Sequence, residues 1–141
     1  MSNQNSATII QDLWSVSAHI SKTLDNSLSS IHGISLTEYM VLDRLLSAPN
    51  QVMRRIDLAE SVGRTASSIT KMLAPMQKVG LVGKEANARD ARVSLVKITE
   101  AGTTIAKDAQ LTVEQRSEQL LSRFDQHQAI FLAAALKTLL E

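Results

Sequence analysis

The chain has no cysteine among its 141 residues. That excludes disulfides, cysteine-ligated zinc and thiol-based redox sensing. Aromatics supply only 3% of the residues, so a core must be built from Leu, Ile, Val, Ala and Met, which favours helices over sheets. Hydrophobic residues still reach 44%, enough for one packed domain of ordinary size. No run approaches the roughly 18 apolar residues of a membrane span. Residues 1–11 have neither the basic flank nor the apolar stretch of a signal peptide. A soluble, cytoplasmic protein with no membrane partner is expected. No glycine-rich phosphate loop is present, and His19, His32 and His127 are too scattered to form a metal pair. Neither a metal, nor a cofactor, nor a catalytic group is expected, and an enzyme has little support.

What is present is an uneven charge distribution. Residues 51–98 hold nine Lys or Arg and four acids, a local charge of +5, whereas the remainder holds six basic and ten acidic residues, a charge of −4. A basic middle between acidic ends fits a polyanion-binding module carried by something else, although a solvated basic surface gives the same split.

Apolar residues at Ile9, Leu13, Val16, Ile20, Leu24, Leu28 and Ile31 recur at helical spacing and predict a first helix over 8–31, ended by Gly33. Ser35-Leu36-Thr37-Glu38 reads as a capping box, with Ile34 and Tyr39 placed for the accompanying hydrophobic staple. The second helix then runs through Leu46, and Pro49 ends it. A short third helix covers 57–61 before Gly63, and Thr65 caps a fourth that runs to Val79 and stops at Gly80. After Leu81 the helical period is lost. Leu81-Val82 and Val93-Ser94-Leu95-Val96 flank the polar turn Asn87-Ala88-Arg89-Asp90, which predicts a two-stranded β-hairpin. Thr99 with Glu100 opens a fifth helix, and Asp125 with Gln128 opens a last, apolar one.

Helix, helix, tight turn, helix and hairpin is the order of a winged helix-turn-helix. Ala59 is small where two helices cross, Gly63 supplies the turn conformation, and Ile69 anchors the second helix inward. The fourth helix is then the recognition helix, with Ser67, Ser68, Thr70 and Lys71 directed outward to base edges or phosphates. Arg64, just before it, could reach either. At the hairpin tip Arg89 and Arg92 suit the DNA backbone or a narrow minor groove. Asp90 cannot favour phosphate and is expected to pair with an arginine and hold the wing's shape.

Several motifs within residues 36–102 resemble the MarR family of transcriptional regulators. They are Leu36-Thr37-Glu38, Asp57-Leu58-Ala59, Ser68-Ile69-Thr70-Lys71-Met72-Leu73, Lys78-Val79-Gly80-Leu81-Val82 and, most specifically, Asp90-x-Arg92 followed by Ile98-Thr99-x-x-Gly102. By motif the resemblance covers about half the chain. It implies a single mainly α domain over 1–141 with a small β wing. Residues 36–98 would form the winged helix-turn-helix DNA-binding lobe, and 8–31 and 100–140 the dimerisation helices. It implies a homodimer that binds pseudo-palindromic double-stranded DNA, a repressor released by a small, often aromatic or phenolic effector. Family DNA contacts carry over onto Ser67, Ser68, Thr70, Lys71, Asp90 and Arg92. Two departures stand out. Pro75 interrupts the recognition helix, removing the bond to the Lys71 carbonyl, and is expected to kink or widen it. Ala91 stands where a second basic wing residue is frequent, with Arg89 as a substitute. Trp14, His19, His32, Tyr39 and Arg44 fall near the expected effector junction, but each could equally be packing. The alternative function is an architectural or protein-interaction winged helix without effector response.

Overall fold

Helix α1, Asn3–His32, starts upstream of the expected boundary and ends at Gly33, whose φ of +70° is the left-handed value a helix terminus favours. The computed structural model describes residues 3–90 and 92–141; Ala91, one of the two departures noted above, lies outside them. Only the C-terminal part of α1 is buried, through Leu24 and Leu28, whereas Ile9, Trp14, Val16 and Ile20 are exposed.

The capping box opens α2, Leu36–Ser47. Ser35 Oγ accepts from the Glu38 N–H at 3.1 Å, and Glu38 Oε1 accepts from the Ser35 N–H at 2.8 Å. Ile34 and Tyr39, the expected staple, are both buried. Ala48 is extended, as a residue before proline must be. A tight turn, Pro49–Gln51, leads to strand β1, Val52–Arg54. Helix α3, Arg55–Ser61, and helix α4, Ala66–Lys78, follow, joined through Gly63 at φ +67°. Ala59 and Ile69 are buried where these two helices meet. Pro75 does not break α4, which continues to Lys78. Both Lys71 and Pro75 are exposed, so water can take the carbonyl that proline leaves without a donor.

Strands β2, Val82–Ala86, and β3, Ser94–Ile98, form the expected hairpin, but the sheet has three strands rather than two. Its order is β1-β3-β2, all antiparallel, with Met53 opposite Val96 and Lys84 on the other side of the same residue. The missed strand is three residues long, too short to show a period of two, and its partner lies more than forty residues downstream. Both hairpin strands also shift C-terminally from the expected runs: Leu81 is buried outside the strand, and Ile98 rather than Val96 ends β3.

Helix α5, Glu100–Leu120, is capped by Thr99. Helix α6, Gln126–Leu140, is capped by Asp125 in a second capping box with Gln128. One core joins Leu28 of α1, Leu42 of α2, Leu58 of α3, Ile69 of α4, Val96 of β3 and Ala109 of α5. Helix α6 buries no residue in the chain. Among the described residues no helix is long and apolar enough to cross a membrane.

Candidate nucleic-acid interface

The recognition helix begins where Thr65 leaves the extended region and its Oγ1 accepts from the Ser68 N–H at 3.1 Å. Ile69, Leu73 and Met76 bury one face of α4. On the other face Ser67, Thr70 and Lys71 are exposed. Ser68 departs from the outward reading: it is half-buried, sitting over the cap its own N–H completes. Arg64 is exposed, and its Nη2 donates to Thr37 Oγ1 of α2 at 3.0 Å. Thr70 Oγ1 accepts from Arg55 Nη1 at 3.5 Å. Thr37 was placed by sequence only within the capping box and a family motif, not beside Arg64. Arg55 entered only as one of nine charges, because its position beside α4 depends on the unrecognised strand before it.

At the wing the chain turns through Asn87, whose Oδ1 accepts from the Arg89 N–H at 2.9 Å. The Arg89 side chain is exposed. Asp90 takes Arg92 twice through Oδ1, from the backbone N–H at 3.0 Å and from Nε at 3.1 Å. The Arg92 hydrogen bonds, side chain first and backbone second, hold the Asp90 carboxyl below its ordinary range. Asp90 thus has the partner expected of it. The Arg92 side chain nevertheless remains 91% exposed, so this ion pair fixes direction and contributes little stability. A second exposed pair, Arg54 with Asp57 at 2.8 Å, lowers the Asp57 carboxyl by the same cause.

Helix α4 and the wing share one root. After Gly80, at φ +82°, the Leu81 N–H returns to the Met76 carbonyl at 2.9 Å. Thr99 Oγ1 is directed at the Gly80 and Leu81 carbonyls and accepts from the Gly102 N–H. The end of the recognition helix, the start of β2 and the start of α5 are therefore fastened through one threonine.

The five residues considered for an effector junction do not gather. Trp14 is 79% exposed on α1. His19 lines an apolar groove of about 490 Å³ with Leu13, Ile20, Phe124 and Leu136. Arg44 pairs with Asp43 at 3.0 Å and lines a different cleft with Met53 and Arg54. His32 Nε2 and Thr112 Oγ1 are hydrogen-bonded at 2.7 Å, tying α1 to α5. Tyr39 belongs to the core, where burial first, then Asp43 and Glu114, push its phenol above the ordinary value. No group of three or more His, Cys, Asp or Glu among the described residues is placed to hold a metal.

A capped, exposed helix behind a tight turn and followed by an arginine-tipped hairpin defines a winged helix-turn-helix protein. The MarR family model matches residues 34–94, from the start of the capping box before α2 through the wing to the start of β3. The fold matches Sco3205, a MarR family transcriptional regulator from Streptomyces coelicolor in complex with DNA, with a TM-score of 0.89 at 19% identity, covering 100% of this chain and 89% of that one. It matches a mutant MarR from E. coli complexed with operator DNA with a TM-score of 0.86 at 22% identity over 100% of both chains. The regulator BldR from Sulfolobus solfataricus matches with a TM-score of 0.86 at 19% identity, over 99% of this chain and 98% of that one.

Proposed function

We propose that this chain is a DNA-binding transcriptional regulator that binds a pseudo-palindromic operator as a homodimer and acts as a repressor released by a small aromatic or phenolic effector. The observation that carries DNA binding is the pairing of exposed Ser67, Thr70 and Lys71 on a capped helix with the exposed Arg89 and Arg92 of the wing, all on a core matched by the MarR family model. Arg64 completes the set as a contact preceding the helix. Ser68, half-buried with its N–H taken by the Thr65 cap, offers its hydroxyl at the same helix terminus. Asp90 acts through Arg92. Two solved relatives of the same fold carry DNA.

The dimer reading rests on α1, α5 and α6. Helix α6 exposes Ile130, Phe131, Leu136, Leu139 and Leu140, with Phe131 at 76%. An apolar fifteen-residue helix with no face buried in its own chain is marginal in water. A second copy, contributing the same helices, covers such a surface with closed symmetry. In this reading 36–98 is the DNA-binding lobe, and 8–31 with 100–140 form the dimer. The groove lined by His19 and Phe124 lies on the same surface.

The test is selection of bound duplexes from a random pool, followed by titration of the enriched sequence at several salt concentrations. A palindrome with half-sites about one helical turn apart is expected, with affinity falling steeply as salt rises. Enrichment of no sequence, a flat salt response or equal affinity for single strands refutes the reading and favours a protein-interaction module.

A further inference from the structure

Arg55 is a cation without an anion. It opens α3 half-buried, and its Nε is buried with no hydrogen-bond partner. The nearby carboxylate of Asp57 is held by Arg54 through two bonds, at 2.8 and 3.1 Å. The ion pairs among the described residues do not include Arg55. Its one side-chain hydrogen bond among the described residues is the 3.5 Å donation from Nη1 to Thr70 Oγ1.

That contact decides what Thr70 can do. A guanidinium donates and never accepts, whereas a hydroxyl has one proton and two lone pairs. Thr70 Oγ1 must therefore accept from Arg55, and its single proton is turned away. Elsewhere in the chain helical hydroxyls spend that proton on the carbonyl four residues back: Thr103 on Thr99, Thr104 on Glu100, Ser117 on Val113 and Thr138 on Ala134. Thr70 makes no such bond. It stands exposed on α4 with a free proton and one of its two lone pairs taken.

We propose that Arg55 is a positioning residue that turns the Thr70 proton outward and biases Thr70 toward donating. Thr70 then favours an acceptor in the major groove, such as purine N7, guanine O6 or thymine O4, over the amino groups of cytosine and adenine. This rests on the reading of α4 as the recognition helix.

The experiment compares full-length wild type with Thr70→Val, Arg55→Met, Arg55→Lys and Thr70→Val/Arg55→Met. Each is titrated against the selected operator and its single base-pair variants, at several salt concentrations and alongside thermal melts. Thr70→Val should flatten the preference at one base pair per half-site by about 3- to 10-fold, the worth of one net hydrogen bond. Arg55→Met should flatten the same base pair, the double variant should flatten it no further, and Arg55→Lys, again a pure donor, should restore it. Arg55→Met removes a buried unsatisfied atom, so its melting temperature should not fall. If it does fall, Arg55→Gln takes its place: an amide that can also accept lets Thr70 turn its proton inward and should relax the same base pair. Retained preference in the Arg55 variants overturns the proposal. So does a salt slope lowered by about one with preference intact, which would make Arg55 a phosphate contact. If wild type enriches no sequence, the reading of α4 fails first and this inference falls with it.

Discussion

Replacing Gly102 by alanine tests the fastening between wing and helices at its tightest point. An added Cβ would lie 2.1 Å from the Leu81 carbonyl oxygen, 2.9 Å from Ile98 Cγ1 and 3.1 Å from the Leu81 carbonyl carbon. The nearest atom is backbone, so no rotamer change relieves the contact. The same carbonyl oxygen accepts from the Thr99 N–H at 3.1 Å and faces Thr99 Oγ1 at 3.0 Å. Moving Leu81 therefore loosens the bonds that seat β2. Overpacking of this kind costs about 1–3 kcal/mol, and each weakened hydrogen bond about 0.5–1.5 kcal/mol more. Alanine returns at most about 1 kcal/mol of helix propensity, and less in a first turn. The net is a loss of about 2–3 kcal/mol, or a melting temperature lower by about 4–12 °C for a chain of this size. Thermal melts at matched protein concentration measure it, since a dimer's midpoint depends on concentration. Gly83→Ala is the control: its Cβ meets only the side chain of Lys97, with Cε at 3.2 Å, which can swing away. A Gly102→Ala protein that melts at or above the parent, as helix propensity alone predicts, would refute this account of the seam.

Other outcomes follow from the same geometry. Arg92→Ala should weaken operator binding about tenfold, most for A·T-rich flanks, while shifting the melting temperature by no more than about 2 °C, because the side chain is exposed; operator titration beside melts decides it. Asp90→Ala should add less than its full effect to Arg92→Ala, since both disable one element. Leu136→Glu, on the exposed face of α6, should lower dimerisation and DNA affinity together, read by sedimentation and by titration; unchanged sedimentation would remove α6 from the interface. Tyr39 is the only tyrosine, so tyrosinate absorbance reports it directly. Its phenol is raised, so the stability it contributes is complete below the ordinary tyrosine pKa and lost as pH rises through the higher folded value. Alkaline titration should show ionisation delayed beyond that of free tyrosine.

Legibility in the sequence followed the range of the interactions. Caps are written within four residues, and Ser35, Thr65, Thr99 and Asp125 all cap the helices expected of them. The glycine turns were readable for the same reason. Strand β1 was not, because Asn50 and Gln51 turn the chain at φ 57° and 59° without a glycine to announce it, and three residues carry no alternation. The wing pair Asp90–Arg92 was readable from two positions, whereas Arg64–Thr37 and Arg55–Thr70 span 27 and 15 residues and exist only once the lobe has folded. Pro75 was legible as a local perturbation of α4, and the helix runs on through it to Lys78 with Lys71 and Pro75 both exposed.

The apolar stripe of α1 posed a different problem: spacing showed a helix but not which turns find a partner in the same chain. Leu24 and Leu28 do and Leu13 does in part, whereas Ile9, Val16 and Ile20 stay exposed. The reason lies on α5, where Gly102, Ala106 and Ala109 form a buried stripe of small residues at helical spacing. Small side chains let α5 come close to the lobe, so Ala106 and Ala109 enter the same core as Ile69 and Met76 of the recognition helix. The core therefore runs straight across the lobe's proposed border at residue 98, with Thr99 stitching its edge. Under the proposed dimer, helices α1, α5 and α6 of two copies set the distance between two recognition helices. No linker separates that border, so in such a dimer a change in how those helices pack would carry α4 and the wing with it. Under the proposed release by an effector, altering how α1, α5 and α6 pack would change the spacing of the half-sites the dimer can span.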